Sequence, residues 1–403
     1  MKKSMDSNFK NEKFFGRKTE LSLAWEYINE RRSFKLAAPR RIGKTFFAIE
    51  ILREAQEKGW GAIYINLEGC KNEPAFIDKF VSELKEERWY HKLGKSLDKI
   101  KIKVSLISSV VDVDVEAEWN RKKADIYREL EEVLVHNENT IIVLDELTVF
   151  LGYLKKGGKD ENGNMENIKF FLHWLRSLRE KPGSKIRWIF CSSISIDSFI
   201  SKHELTGTLN NVEPFKIGEL CNNESVEFVK KLATSAKLSF PDELITYLLD
   251  KLIRSKTPYY IKILFDNIRN LHTLNNFEIS TNLIDKAYRE TIQTASYFNH
   301  WKERLKDYDE DKIYAETILK ALAVAKNGKK ENHLYVLVED ENKNQNKDKK
   351  DIMDEKRFKQ LGKRLEDEGY IIINNDTWAF RSPFLRDFWA AETKTIQVSK
   401  KVK

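Results

Sequence analysis

The sequence predicts an α/β fold: a parallel sheet in the first half, a helical stretch after it, and a last part that mixes helix with strand. Three observations carry this expectation. Short apolar runs alternate with segments of helical periodicity up to about residue 220, at the spacing of β-α units. One apolar run opens onto Ala38-Pro39-Arg40-Arg41-Ile42-Gly43-Lys44-Thr45, and another, residues 141–144, runs directly into Asp145 and Glu146. Strand signals then stop near residue 221 and helical patterns take over.

Order is expected to begin at Phe14 and Phe15, before a helix over residues 18–31 in which Leu21, Ala24, Trp25 and Ile28 recur at three- and four-residue spacing. Residues 33–38 form the first strand and residues 44–58 the helix after the loop. A second buried strand follows at 61–69, then a helix through Phe76, Phe80, Val81 and Leu84. Between residues 99 and 119 apolar and polar residues alternate, with Ile102, Val104 and Leu106 and then Val111, Val113 and Val115. This pattern predicts a β-hairpin turning near Ser108 and Ser109, inserted into the α/β unit, with Asp112, Asp114 and Glu116 on a solvated face. A helix through Ile126 and Leu130 leads to the acid-terminated strand. The polar, glycine-rich segment KKGGKDENGNMEN, residues 155–167, predicts an exposed loop, so that an insertion spans about 152–167. The apolar run KIRWIFCSSIS is the fourth strand and residues 213–220 are the fifth.

The loop has the chemistry of a phosphate cradle. Backbone N–H groups at a helix start face an anion, Lys44 reaches the β and γ phosphates, and the Thr45 hydroxyl binds Mg²⁺. The first glycine of GxxxxGK[ST] is Ala38 here, which the tight bend accepts provided that φ stays negative. Two acids ending a buried strand are costly unless they meet a cation or water. Asp145 is therefore read as a Mg²⁺ ligand through water, and Glu146 as the group that polarises the attacking water. Ser192 and Ser193 end the fourth strand, where hydroxyls either contact the γ-phosphate or cap the next helix.

Composition sets bounds. With 403 residues, 41% hydrophobic and 33% charged, the chain has room for two or three domains with an ordinary core. The charge of +8 is a thin excess of 71 basic over 63 acidic residues, which permits nucleic-acid contact without requiring it. No segment approaches the ~18 apolar residues of a membrane span, and the start has no apolar h-region. The expectation is a cytoplasmic protein without membrane contact. Cys70, Cys191 and Cys221 are widely spaced and suggest neither disulfides nor zinc.

Beyond residue 221 helices are expected over 224–236, 242–254, 258–270 and around 283–292, and then over 311–325. A very polar stretch, residues 339–351, precedes a helix with Phe358, Leu361 and Leu365. Residues 370–373 and 378–380 flank Asn374, Asn375 and Asp376 as strand, turn and strand, the outline of a winged-helix unit.

Taken together, the chain resembles the archaeal-type ATPase branch of the STAND class of AAA-like P-loop NTPases. Phe15, Gly16, Arg17, Glu20 and Leu21 look like the F-x-GR-x-x-E-L opening of that family, APRRIGKT like its GPRRxGKT loop, and LDEL like its Walker B. The CSS at 191–193, LNN at 209–211, PFKIGEL, TPYYIKIL with Pro258, and FRSPFLRDFW at 380–389 match further family motifs.

The resemblance implies a RecA-like (ASCE) sheet of order 5-1-4-3-2 in a core of residues 1–221, a helical lid at 222–305 and a winged helix at 306–403. It implies ATP or ADP with Mg²⁺ between sheet domain and lid. Phe15 and Arg17 would lie near the adenine, and Arg40, Arg41, Ile42, Gly43, Lys44, Thr45 and Phe46 around the phosphates, with Pro258 from the lid. Thr45 and Asp145 would serve the metal, and Lys44, Glu146 and Ser192 the chemistry.

Three departures stand out: Ala38, Lys256 and Thr257 where a glycine precedes the lid proline, and no arginine after the CSS. They imply slow hydrolysis, or an arginine supplied by a neighbour. Arg40, Arg41, Arg176 and Arg179 are candidate cationic groups, for each of which surface charge is the commoner role, and none is assigned as an arginine finger. The implied role is a switch that controls self-assembly or a protein partner, including in conflict or defence systems. The alternative is a DNA-binding regulator of the initiator or transposition-regulator type, whose helix at 354–368 carries Lys356, Arg357, Lys359, Lys363 and Arg364 beside Glu355, Glu366, Asp367 and Glu368.

Overall fold

The first elements follow from apolar periodicity. Helix α1 (Lys18–Asn29) buries Leu21, Ala24, Trp25 and Ile28, as its spacing requires. Strand β1 (Phe34–Ala37) leads through the loop to α2 (Lys44–Glu57), and β2 (Gly61–Asn66) to α3 (Glu73–Lys85). Then come α4 (Gly94–Ser109), α5 (Val115–Val135), β3 (Thr140–Asp145), α6 (Leu147–Lys156), α7 (Glu161–Glu180), β4 (Ile186–Phe190), α8 (Ile196–Lys202) and β5 (Glu213–Lys216). This computed structural model describes residues 14–39, 41–86, 93–109, 115–135, 138–156, 161–192, 196–344 and 352–401. Two compact units divide the chain: Met1–Ala37 with Lys44–Ile217, and Ala38–Gly43 with Gly218–Lys403.

In the first unit the five strands are all parallel, in the order β2-β3-β4-β1-β5, which is the 5-1-4-3-2 order expected of a RecA-like sheet. Alternation along each strand sorts the two faces. Ile63, Ile65, Ile142, Leu144, Trp188 and Phe190 belong to one large apolar cluster with residues of α3 to α7. Tyr64, Val143 and Asp145 alternate with these along β2 and β3, and α2 packs against both strands.

Two insertions differ from expectation. Residues 94–109 and 115–135 are helical, where a hairpin was expected over 99–119. Leu97, Ile100, Val104 and Ile107 are buried at helical spacing, while Ile102 and Leu106 are each 58% exposed. Val111, Asp112, Val113 and Asp114 lie outside the described residues. The expected loop at 152–167 is also largely helix: α6 runs to Lys156 and α7 starts at Glu161. Ile168, Phe171, Leu172 and Leu175 give α7 an apolar face that outweighs its polar start.

The second unit opens with α9 (Asn222–Ser235), α10 (Asp242–Lys251), α11 (Pro258–Asn275) and α12 (Thr281–Gln293), followed by α13 (Asn299–Arg304) and α14 (Lys312–Ala323). Strand β6 (Lys329–Lys330), α15 (Glu331–Asn344), α16 (Glu355–Asp367), β7 (Ile371–Asn374), β8 (Thr377–Phe380) and α17 (Pro383–Lys401) complete it. The three short strands pair antiparallel in the order β6-β8-β7. Asn375 makes the turn between β7 and β8 with φ at 53°. Helix α15 occupies half of the polar stretch expected at 339–351, because Leu334 and Val338 are fully buried. Glu368 sits in the interior, held by Tyr308 Oη at 3.0 Å, Arg364 Nε at 3.1 Å and Arg304 Nη2 at 3.3 Å.

Candidate nucleotide site

The loop after β1 satisfies the condition set by Ala38. Positive φ angles in the loop occur at Arg41 (62°) and Gly43 (99°), and Ala38 is not among such residues. A Cβ on Gly43 would meet nothing within 4 Å, so backbone conformation alone demands glycine there. Arg41 stacks its guanidinium 4.4 Å over the Tyr259 ring, and Ile42 is buried. Arg40 lies outside the described residues. Lys44, the first residue of α2, is only 8% exposed.

Within the first unit, residues one hundred positions apart meet at Asp145. The Thr45 hydroxyl donates to Asp145 Oδ2 at 2.8 Å, and Tyr64 Oη donates to the same oxygen at 2.9 Å. The Glu146 N–H donates to Oδ1 at 3.0 Å. Burial raises the Asp145 carboxyl above its ordinary range, with the neighbouring Glu146 charge adding to this, while Thr45, Tyr64 and the Glu146 N–H act against it. A buried carboxylate and an adjacent hydroxyl are hard oxygen donors, the set that Mg²⁺ takes from a protein when phosphates and water supply the remainder. No group of three or more His, Cys, Asp or Glu side chains forms a metal cage among the described residues.

Glu146 has φ at 59°, uncommon for a side chain of its size, and its carbonyl accepts the N–H groups of Val149 and Phe150 at the start of α6. Ser192 Oγ accepts the Thr148 N–H at 3.3 Å and also hydrogen-bonds the Thr148 hydroxyl. Ser192 therefore ties the end of β4 to the start of α6, and Ser193 lies outside the described residues. Arg17 is 2% exposed, sits at φ 59° as the N-cap of α1 and lies 3.9 Å from Glu20. Phe15 and Phe46 are both half-buried, and the Phe14 ring lies 6.4 Å from that of Phe47.

Pro258 opens α11 in the second unit, with Thr257 accepting the Tyr260 N–H. The N1 position accounts for a proline by itself. Arg176 donates to the Gly207 carbonyl and pairs with Glu180. Arg179 donates to the Thr208 carbonyl, and burial lowers its pKa to about 10. A cleft of about 20 Å³ lined by Pro39, Tyr260, Trp301, Gly369, Ser382 and Leu385 has room for little more than one water.

The sequence thus pointed to Thr45, Asp145 and Glu146, which adjoin one another in space. It missed Tyr64 and Thr148. Only strand pairing could have exposed Tyr64: Tyr64 stands opposite Val143 and Asn66 opposite Asp145, which makes Tyr64 and Asp145 diagonal neighbours on one face.

No protein-family model matches the chain, and no curated protein does. Among solved structures, the Walker-type ATPase PABY2304 of Pyrococcus abyssi superposes with a TM-score of 0.60 at 16% identity, over 93% of this chain and 96% of that one. The ORC2 protein of Aeropyrum pernix, in its ADPNP-ADP complexes, gives 0.54 at 16% identity over 98% of both chains. With the five-stranded parallel sheet and its strand order, these likenesses give the chain the fold of P-loop ATPases.

Proposed function

We propose that the chain binds Mg-ATP and hydrolyses it slowly, as a nucleotide switch of the STAND class whose assembly or protein partner follows the nucleotide state. The observation that carries this reading is the hydrogen bond between Thr45 and Asp145, which joins the phosphate loop's helix to the acid-terminated strand. Lys44 is the cation for the phosphates, and Thr45 and Asp145 hold the metal. Glu146 orients the attacking water from a backbone conformation set by the start of α6. Mg²⁺ bound there would offset phosphate charge as the γ-phosphoryl leaves. Slow turnover is supported by Arg176 and Arg179, both of which donate to carbonyls of their own unit. Residues 222–305 are assigned as lid and 306–403 as winged helix, on the helix, strand, turn and strand order around α16, β7 and β8.

A DNA-binding role draws less support. Of the five basic residues on α16, Arg357 pairs with Asp311, Lys359 with Glu355, Lys363 with Asp367 and Arg364 with Glu368. A phosphate backbone would have to compete with these carboxylates for the same cations. Lys44→Ala should abolish ATP binding, and Glu146→Gln should bind ATP without hydrolysing it. Wild-type turnover in both variants would refute the proposal. A gel-shift titration from low to moderate salt tests the DNA reading, which binding absent even at low salt ends.

A further inference from the structure

Tyr64 is the strongest unassigned feature of the site. It is 8% exposed on β2, and its ring reaches diagonally across to β3, where its hydroxyl meets Asp145 Oδ2 at 2.9 Å. The carboxylate accepts three hydrogen bonds, each from a different element: Thr45 on α2, Tyr64 on β2 and the Glu146 N–H after β3. Thr45 is itself a metal-binding group, so its hydroxyl has two tasks. By donating its proton to Asp145, Thr45 leaves its oxygen lone pairs for a cation. The Glu146 N–H is fixed to the backbone and holds only Oδ1. Tyr64 alone grips Oδ2 from a side chain with no metal-binding task of its own.

We infer that Tyr64 is a positioning residue for the metal-binding carboxylate of Asp145: it fixes the rotation of that group so that the acid is already aimed when Mg²⁺ arrives with the nucleotide. The inference rests on the reading of this cluster as a Mg-nucleotide site. Phenylalanine would fill the same space, and the hydroxyl is what the hydrogen bond adds. Partners that orient a metal-binding group in this way are commonly worth about ten-fold or more in metal affinity.

The test is Tyr64→Phe in the full chain, with two readouts besides turnover. Affinity for a fluorescent ADP is measured in EDTA and in Mg²⁺, and Mn²⁺ binding to the protein–ADP complex is measured by electron paramagnetic resonance. Y64F should bind ADP in EDTA as wild type does, and should bind Mn²⁺ about ten-fold more weakly. In an Asp145→Asn background the same substitution should cause no further loss. Three results overturn the inference while leaving the functional reading intact: unchanged Mn²⁺ affinity in Y64F, an equal loss of ADP affinity in EDTA, or a Y64F chain that does not fold, which would make the hydroxyl a requirement of the apo fold. A wild-type protein whose ADP affinity ignores both Mg²⁺ and Mn²⁺ overturns the functional reading itself.

Discussion

Gly369→Ala offers a quantitative probe of the phosphate loop. Gly369 has φ at +87°, and a Cβ built there lies 2.4 Å from Cβ and 2.8 Å from Cγ of Pro39, within the same compact unit. Holding a non-glycine residue at such a φ costs about 1–2 kcal/mol. Carbon atoms in contact normally sit at ~3.5–4.0 Å, so the proline ring must retreat by more than an ångström. Overpacking of this kind costs a further ~1–3 kcal/mol. The total of about 2–5 kcal/mol corresponds to a fall in Tm of roughly 4–20 °C for a unit of this size. Thermal unfolding with and without ADP is the assay, and the loop displacement should also weaken ADP binding. Gly183→Ala is the control: φ is +79° there but nothing lies within 4 Å, so only the conformational cost applies. Pro39→Gly removes the obstructing ring and should restore much of the loss in the double variant. A G369A chain as stable as wild type, or one that P39G does not improve, would refute the reasoning.

Two predictions concern the first unit. In α4, Ile102→Lys should change stability by no more than ~0.5 kcal/mol, and Val104→Lys should cost about 2–5 kcal/mol, as urea unfolding would read. Equal effects would restore the hairpin, in which both residues share a face. Glu73 is buried and accepts from Trp119 Nε1 and Tyr127 Oη, each at 3.0 Å. Burial raises its pKa above 4.5, against the lowering by Trp119, Lys123 and Tyr127. The folded chain therefore binds more protons than the unfolded chain between 4.5 and the raised value. Stability from this group is complete below that window, falls as pH rises through it and stays at the lower level at neutral pH. Glu73→Gln keeps an acceptor for Trp119 and can donate to the Tyr127 oxygen, so at pH 7 it should melt no lower than wild type. The two melting curves should converge at acid pH, and a deficit of E73Q at pH 7 would refute this.

What was legible in the sequence was local. The loop and the acid strand announce themselves because strand, turn and helix start are adjacent in the chain, and because buried acids are rare enough to need a reason. Tyr64 was invisible for the opposite reason: its partner is 81 residues away, and only the β2–β3 register brings the two together. The misread hairpin shows how two periods can coexist. Val104 belongs both to the alternation with Ile102 and Leu106 and to the helical series Leu97, Ile100, Val104 and Ile107, and the exposed Ile102 and Leu106 supplied the false signal. The sequence places Ser192 at a strand end, but its partner, the Thr148 N–H, depends on how α6 turns away from β3.

Arg41 is where the loop keeps the strain that Ala38 avoids. Its φ of 62° costs a non-glycine residue about 1–2 kcal/mol. The stack on Tyr259 returns some of this, about 0.5–1 kcal/mol for an exposed arginine. Arg41→Gly removes the strain and the stack together, and gives the unfolded chain extra freedom worth ~0.4–1 kcal/mol. These terms nearly cancel, so Arg41→Gly should leave stability within about 1 kcal/mol of wild type. Arg41→Ala loses the stack and keeps the strain, so it should be less stable than either. Tyr259 also packs its ring 5.2 Å from that of Tyr260 and donates its hydroxyl to the Tyr297 carbonyl. Tyr259→Ala should therefore cost more than Arg41→Ala in the wild-type loop, and less by the worth of the stack when added to Arg41→Gly. Melting curves of the four chains separate the two terms. An alanine variant more stable than the glycine variant would mean that φ at this position relaxes without the arginine, and that the loop stores no strain there.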